Sequence, residues 1–497
     1  MKRWFLVWYL FIAVNVFAQN RTNVWELSYS TDLEYPNCEM FFWNGVMDTQ
    51  SVPRIMSFFN TNTSICDTNG NLLFYTNALT IGNKNYDTLQ NAENFNPGWA
   101  TSFDEPDGLS ACQGALFLPY PEHDSLYILF HITGESFFAN NQGEVQPLYL
   151  SYSVINVNLD SGLGGIEENQ KNVHIINDTL TWGRITACKH ANGRDWWVIM
   201  HRYYSDKYYK LLVTNEGISG PYFQLTGSII TQDVGGQACF APDGSKYAMV
   251  SQVNVLDFME FDRCSGEFFN AQTIFVPDST GTIGCSFSPN GRFLYVSSKY
   301  NLFQYDTWSD NMAEDVLLIA TWDYFYSEGI IPVLFFMHQL AADNKIYLSS
   351  FNGTKYLNVI NFPDSLGVAC SFAPHSFIIP QYSFNIPSFP NYDLGPLPGG
   401  DTCNIVYTSE TFSLKGTSTY RIAPNPVSDW LNIIYQSNED ALFELFDLYG
   451  KRVEAISLFH YFKNRLLNVS ELPPGVYLAA VSCKGERVWS EKVVVQR

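Results

Sequence analysis

Charge is scarce in this chain, and positive charge scarcest. Only 15% of its 497 residues are Asp, Glu, Lys or Arg, and 28 basic side chains face 49 acidic ones, a formal net charge of −21. A surface so short of Lys and Arg repels phosphate backbones, which excludes nucleic acid as an expected partner. The acidic excess is dispersed, and it suits an extracellular chain kept in solution by self-repulsion more simply than a store of cations. Long apolar runs are missing beyond the N-terminus, so no transmembrane segment is expected in the mature chain. The motifs of common catalysts are missing too: no G-x-S-x-G elbow, no phosphate-binding P-loop, no H-E-x-x-H helix, no dinucleotide fingerprint. None of the ten cysteines forms the C-x-x-C pair of a structural zinc site.

What is present begins with an export signal. Met1-Lys2-Arg3 precedes an apolar stretch from Trp4 to Val14, and Val16 and Ala18 occupy the −3 and −1 positions for cleavage before Gln19. An N-terminal anchor helix fits less well, because the core is short and no stop-transfer pattern follows. Aromatic residues make up 16% of the chain, a composition that favours sheets.

A turn of the Asn-Gly or Asp-Gly kind followed by an aromatic and β-branched run keeps returning. The copies are CDTNGNLLFYT from Cys66, CKHANGRDWWVIM from Cys188, CFAPDGSKYAMVS from Cys239, CSFSPNGRFLYVSS from Cys285 and a weaker AADNKIYLSS from Ala341. At Cys112, CQGALFLPYPEHDSLYILFH has the same two strands with a longer loop. The turn glycines Gly193, Gly244 and Gly291 stand 51 and 47 residues apart, the period of a four-stranded propeller blade. The segment before each turn then reads as an innermost strand and the run after it as the second. LYLSYSVINVNLD at Leu148, KLLVTNEG at Lys210 and NLFQYDTWS at Asn301 read as third strands. Six blade signals fall between about Ser57 and Pro380. The strand near Val24–Ser30 either pairs into the last blade or helps to make a seventh, so that no sheet edge is left open. A pair of sandwiches or a β-helix is the competing architecture, and neither produces this period.

Cys66, Cys112, Cys188, Cys239 and Cys285 recur at related positions and read as small buried residues. One or two disulfides among Cys38, Cys264, Cys370 and Cys403 are expected, with connectivity open.

The segments from Ser64, Ile185, Phe287 and His338 resemble a group of secreted Bacteroidetes propeller proteins. The resemblance implies a WD40-like or quinoprotein-like propeller over residues 19–397 and no particular activity. Trp322-Asp323, the single Trp-Asp dipeptide, does not recur as in true WD repeats. PSFPNYDLGPLPGGDTC, from Pro387, reads as connector, with the linker proper at 398–417. From 418 to 497 a small immunoglobulin-like sandwich is expected, with strands at Leu431, Ala441, Val476 and Arg487. The strings RIAPNPVSDWLNI, ELFDLYGKRV, LNVSELPPGVYLAAV and SEKVVVQR closely resemble the C-terminal sorting domain of type IX secretion cargo. Pro424, Asn425, Pro426, Asp429, Asp447, Gly450, Leu472, Gly475, Tyr477 and Lys492 carry that pattern. It implies passage through the periplasm and release or display at the outer cell surface, with the type IX machinery as partner. In physical terms the prolines fix the incoming chain, and Gly475 is expected to permit a tight approach.

Propellers hold ligands on loops that lead into the inner strands or join second to third strands. That rule nominates Arg184, His201, Arg202 and Gln237 as ligand-binding candidates. Each also reads as an ordinary strand-end residue. His190 reads as structural, bonding backbone at its hairpin. Asp104, Glu105 and Asp107 form an acidic loop better suited to solvent or calcium than to glycosidic acid–base chemistry, which needs two carboxyls at a set separation. Asp67-Thr68-Asn69-Gly70-Asn71 reads as a hairpin turn, since a calcium loop requires a glutamate at its twelfth position. No catalytic residue, metal site or cofactor is expected, with calcium left open. The leading functional expectation is a non-enzymatic recognition or docking module for a glycan, peptide or envelope protein. A polysaccharide-active hydrolase or lyase is the alternative, and a structural part of adhesion or gliding machinery a third.

Overall fold

The computed structural model describes residues 20–29, 35–43, 45–139, 142–233, 235–400, 403, 420–428, 430–435, 437, 439–459 and 464–496. The leader Met1–Ala18, Asp429 and residues 404–417 lie outside the described residues. The body is all-β and propeller-like. Its regular unit is a four-stranded antiparallel meander, as in Thr186–Lys189, Trp196–His201, Lys207–Thr214 and Gly217–Leu225. The same order recurs from Ala238–Phe240 to Glu267–Phe275, from Thr282–Phe287 to Leu317–Thr321 and from His338–Leu340 to Phe372–Ser383. Two sheets precede these, one starting at Thr63–Cys66 and one at Ala115–Pro119.

The repeated turn is the nucleus of each unit. Gly70, Gly193, Gly244 and Gly291 all have φ between +70° and +90°, which a side chain resists, and in the weaker copy Asn344 takes that conformation at φ +64°. Burial falls from the inside outward, as the sheet from Thr282 shows. Thr282–Phe287 and Phe293–Ser298 are buried throughout, whereas Leu317–Thr321 is largely exposed. Such inner strands lie between neighbouring sheets on both faces and therefore read as continuous apolar runs without alternation.

The N-terminal strand does not extend the last meander. Val24–Leu27 pairs with Asn37–Trp43, and that strand with Val46–Val52, giving a separate sheet between the last and the first of the repeats. Trp25 packs edge-on against Tyr347 on one side. On the other, Ser64 donates to the Val24 carbonyl at 2.7 Å and Asn62 to the Glu26 carbonyl at 2.7 Å. Tyr29 N donates to Tyr382 O, so this sheet joins the two ends of the body.

The Pro- and Gly-rich segment read as a connector is, as far as Cys403, part of the body. Ser388, Asn391, Arg263 with Gly395, and Leu397 hydrogen-bond it to three different sheets. Tyr392 is fully buried, its hydroxyl donating to Phe117 O at 2.8 Å. Cys403 is disulfide-bonded to Cys264, 139 residues away in sequence. Cys38 and Cys370 are buried free thiols. Burial pushes the thiols of Cys38, Cys66 and Cys188 up to about 12, which keeps them protonated and inert.

The tail is two sheets over one core. Tyr420–Ala423, Trp430–Tyr435 and Asn464–Asn468 make one; Arg452–Leu458, Ala441–Phe446, Gly475–Cys483 and Glu486–Val495 make the other. Leu431, Ile433, Phe443, Leu445, Ala479, Val481 and Val493 fill the space between.

Candidate functional site

The innermost strands surround a channel. Where adjacent sheets meet, Cys112 and Gly183 form a parallel bridge, so the third and fourth inner strands enter side by side in the same direction. Two glutamines cross-link the channel wall. Gln113 exchanges hydrogen bonds with both backbone groups of Ala238, at 3.0 and 2.8 Å. The Gln237 carbonyl accepts from Cys285 N and His338 N, both at 3.0 Å, while its amide donates to His338 O at 2.6 Å. Each glutamine therefore satisfies backbone groups that have no ladder partner at the channel wall.

On the side of the repeated turns, between this pair and the strap at residues 389–393, lies a chamber of about 630 Å³. Its lining combines amides and hydroxyls, including Asn20, Asn23, Ser286 and Gln339, with rings such as Phe42 and Phe287. Asp393 is the one carboxylate among its described lining residues. His338 is held neutral by burial, which lowers it to about 3, with Nε2 against Ser297 Oγ at 2.8 Å. His338 Nδ1 and Ser286 Oγ are buried without a protein partner, a costly state. The chamber thus offers uncharged hydrogen bonding and apolar ring surface, without the two carboxyls that glycosidic hydrolysis requires.

Of the four nominated residues, Arg184 lies near His201 and reaches Gly236, next to Gln237, whereas Arg202 is held apart. Gln237 is in the channel, committed to Cys285 and His338. Arg202 is held by Asp178 at 2.7 Å, in a cluster where the Tyr209 hydroxyl also donates to that carboxylate at 2.6 Å. Arg184 and His201 are close together at the lead-in end of the fourth sheet. Arg184, 1% exposed, donates to Asp233 Oδ1 at 2.7 Å, and Asp233 Oδ2 also accepts from Trp182 N. Burial, then the Arg184 guanidinium, lowers His201 to about 3, and its ring meets Tyr208 edge-on at 4.4 Å. Arg184 Nε and Nη1 and both His201 ring nitrogens have no protein partner. A neutral imidazole facing a paired guanidinium has no proton to exchange with it. Asp233 carried no signal in the sequence, being 49 residues from its partner in an irregular segment.

His190 does what its place in the hairpin suggested: its ring nitrogens bond Cys264 O at 3.1 Å and Asn192 N at 3.2 Å. Asp67 likewise closes its own turn by accepting from Asn69 N and Asn71 N. In the acidic loop, Asp104 Oδ2 accepts from both the amide and the hydroxyl of Ser110, and burial raises its pKa. Among the described residues no cluster of three metal-ligating side chains occurs.

In the tail, Asn425 is the keystone. Its amide donates to Lys492 O at 2.6 Å and its carbonyl accepts from Val494 N at 2.9 Å, pinning the incoming chain between Pro424 and Pro426 to the last strand. Asp447 closes the turn before Lys451, with Gly450 at φ +78°. Tyr477 donates to Pro473 O at 2.7 Å, and Leu472 N to Val469 O. Gly475 departs from expectation: a Cβ there meets nothing nearer than 3.9 Å, so no close approach requires the glycine.

Residues 421–496 match the family described as the secretion system C-terminal sorting domain. The tail therefore marks the chain as a type IX secretion substrate, exported to the surface or beyond, and no helix among the described residues is long and apolar enough to cross a membrane. No curated protein matches the chain. Solved structures similar to it include a periplasmic gluconolactonase, PpgL, from Pseudomonas aeruginosa, with TM-score 0.36, 10% identity, and coverage of 95% of this chain and 99% of that one. A protein from Lactobacillus plantarum has TM-score 0.36 and 10% identity over 74% of this chain and 97% of its own. Hsv2 from Kluyveromyces lactis has TM-score 0.33 and 11% identity over 68% and 92%.

Proposed function

We propose that this protein is a surface-displayed or secreted recognition module: a seven-bladed, WD40-like propeller that binds a neutral, hydroxyl-rich ligand of the glycan class in its channel chamber, without turning it over. The observation that carries the reading is the composition of the chamber wall. Amides and hydroxyls beside aromatic rings match the alternating hydroxyl edges and C–H faces of a sugar. The seventh blade is the sheet begun by Val24–Leu27. The tail, an immunoglobulin-like sandwich in this reading, serves as the address, and Bacteroidetes are the source that fits it.

The test is a thermal-shift screen of the mature chain against neutral oligosaccharides. A ligand at about 100 times its Kd stabilises by ~2.7 kcal/mol. A saccharide that shifts the transition and is recovered uncut supports recognition. Absence of any shift across the panel overturns it. Cleavage products that vanish in Asp393→Asn replace it with the second reading, a secreted polysaccharide hydrolase or lyase.

A further inference from the structure

A second aromatic surface lies at the other end of the sheets. In an antiparallel meander, the loop joining second to third strands and the segment leading into the first strand share one end, opposite the repeated turns. In the sheet from Thr282 the former contains Tyr300; the latter, leading into His338–Leu340, contains Trp322–Tyr326. Their rings gather around Trp322. Tyr300 is 5.7 Å from it, Tyr324 4.7 Å and Tyr326 5.5 Å between centroids. Tyr324 is 75% exposed, Tyr326 43% and Tyr300 37%.

The cluster is built rather than loose. Trp322 N donates to Tyr300 O at 2.7 Å, the indole N–H reaches Phe325 O at 3.4 Å, and Tyr326–Ser327 pairs with Ile331–Pro332 in a small hairpin. Phe325, between the exposed tyrosines in sequence, stacks on His375 at 3.9 Å. Tyr324 holds φ +64°, a conformation that bulky residues resist. Rings kept this exposed on a scaffold this well fixed are characteristic of a binding surface.

Local charge narrows the partner. Asp323 faces His375 Nε2 at 2.8 Å, Glu328 faces Lys355 Nζ at 3.9 Å, and Asp278, beside Tyr300, accepts from Ser298 Oγ at 2.6 Å and Asn301 Nδ2 at 2.7 Å, so these carboxylates are hydrogen-bonded within the protein. A polyanion meets the repulsion of a chain of net charge −21. A polycation finds these carboxylates already engaged. What remains is ring face, with phenolic hydroxyls at the edges, suited to a ligand with apolar C–H faces and neutral hydroxyl rims. We propose that Tyr300, Trp322, Tyr324 and Tyr326 form a platform that stacks pyranose units of a neutral polysaccharide, separate from the channel chamber and independent of it.

The test is depletion binding of the mature full chain on microcrystalline cellulose and chitin, and affinity electrophoresis in soluble neutral β-glucans. Tyr324→Ala and Tyr300→Ala change rings whose exposure leaves the fold intact, checked by unaltered circular dichroism and melting temperature. Expected is retention by at least one neutral polysaccharide, weakened about tenfold in either variant. Asp393→Asn, in the chamber, leaves that retention unchanged, which separates failure of the platform from failure of the chamber. Retention on none of these polymers, equal retention by wild type and both variants, or retention only on anionic polymers overturns the proposal.

Discussion

Gln237 and His338 are joined amide to backbone across an intervening strand: the Gln237 side chain both donates to and accepts from the main chain of His338, at 2.6 and 3.0 Å. Because the same carbonyl also accepts from Cys285 N, three consecutive innermost strands are tied at one point. Gln237→Leu leaves those buried backbone groups without partners. It is expected to lower stability by about 1–3 kcal/mol in urea denaturation, with the m-value unchanged.

Asp233→Ala strands the Arg184 guanidinium, which is otherwise out of water. A loss of about 3–5 kcal/mol is expected, as for other buried pairs broken from one side. The double variant Arg184→Met, Asp233→Leu removes both charges and regains most of that loss. A double variant no more stable than Asp233→Ala would show that the guanidinium has work beyond the pair, and would return Arg184 to the ligand-binding candidates.

Acid sensitivity should begin well above the carboxylate range. His131, His201 and His338 are each lowered to about 3, first by burial, whereas in the unfolded chain they titrate near the usual imidazole value of about 6.5. As the pH falls below that value the unfolded state takes up protons that the fold refuses. Stability is therefore complete above it and is lost toward pH 3, by up to ~1.4 kcal/mol per pH unit for each histidine. Urea midpoints at pH 7.5, 6 and 5 check this. A flat profile contradicts it, and His131→Gln flattens the slope.

Glu26 has the opposite sign. It lies directly across from Glu39, and burial, then the Glu39 charge, raises its pKa well above the usual value. The fold holds a proton there that the unfolded chain releases, so its stabilising contribution is complete below the usual glutamate pKa and lost as pH rises toward the folded value. Glu26→Gln should raise the melting temperature at pH 7–8, the gain shrinking toward pH 4.5. A variant that is less stable at pH 8 refutes this.

The Cys264–Cys403 bond closes a loop of 139 residues, for which chain entropy allows ~5 kcal/mol. The double variant Cys264→Ala, Cys403→Ala is expected to melt lower and to expose residues 394–400 to proteolysis, read by mass spectrometry of the first fragments. Wild-type protease resistance would show that the hydrogen bonds of Arg263 and Leu397 suffice to hold the strap.

The units built on Asn-Gly and Asp-Gly were legible because the turn needs a residue tolerant of positive φ, and the flanking strands, buried on both faces, show as apolar runs. Of the first sheet only the strand near Val24–Ser30 was noticed, although an Asn-Gly pair follows its second strand in the sequence. Its turn joins Asn37–Trp43 to Val46–Val52, second strand to third, and so falls outside the repeated register. Gly and Pro between Pro387 and Cys403 announced irregular backbone correctly, but irregular is not detached: Tyr392 is as buried as the core of any sheet. In the tail, Ala441–Phe446 and Gly475–Cys483 stood out by alternation, whereas the peripheral Arg452–Leu458 and Asn464–Asn468 bury few side chains and left little pattern. Among the nominated residues, chemistry was visible but partners were not. Nothing local links Arg184 to Asp233 or Gln237 to His338, and those pairings decide whether each side chain is available.

The strap also settles where mechanical load enters the body. A protein drawn across or held at an outer membrane by its C-terminal end is pulled through residue 403, and the covalent bond at that point passes tension to Cys264, in the turn between the third and fourth strands of the sheet that starts at Ala238. The final strand Phe372–Ser383, which would otherwise be unzipped one hydrogen bond at a time, is bypassed. Traction on the tail therefore reaches a sheet in the middle of the sequence before it reaches the last strand of the body.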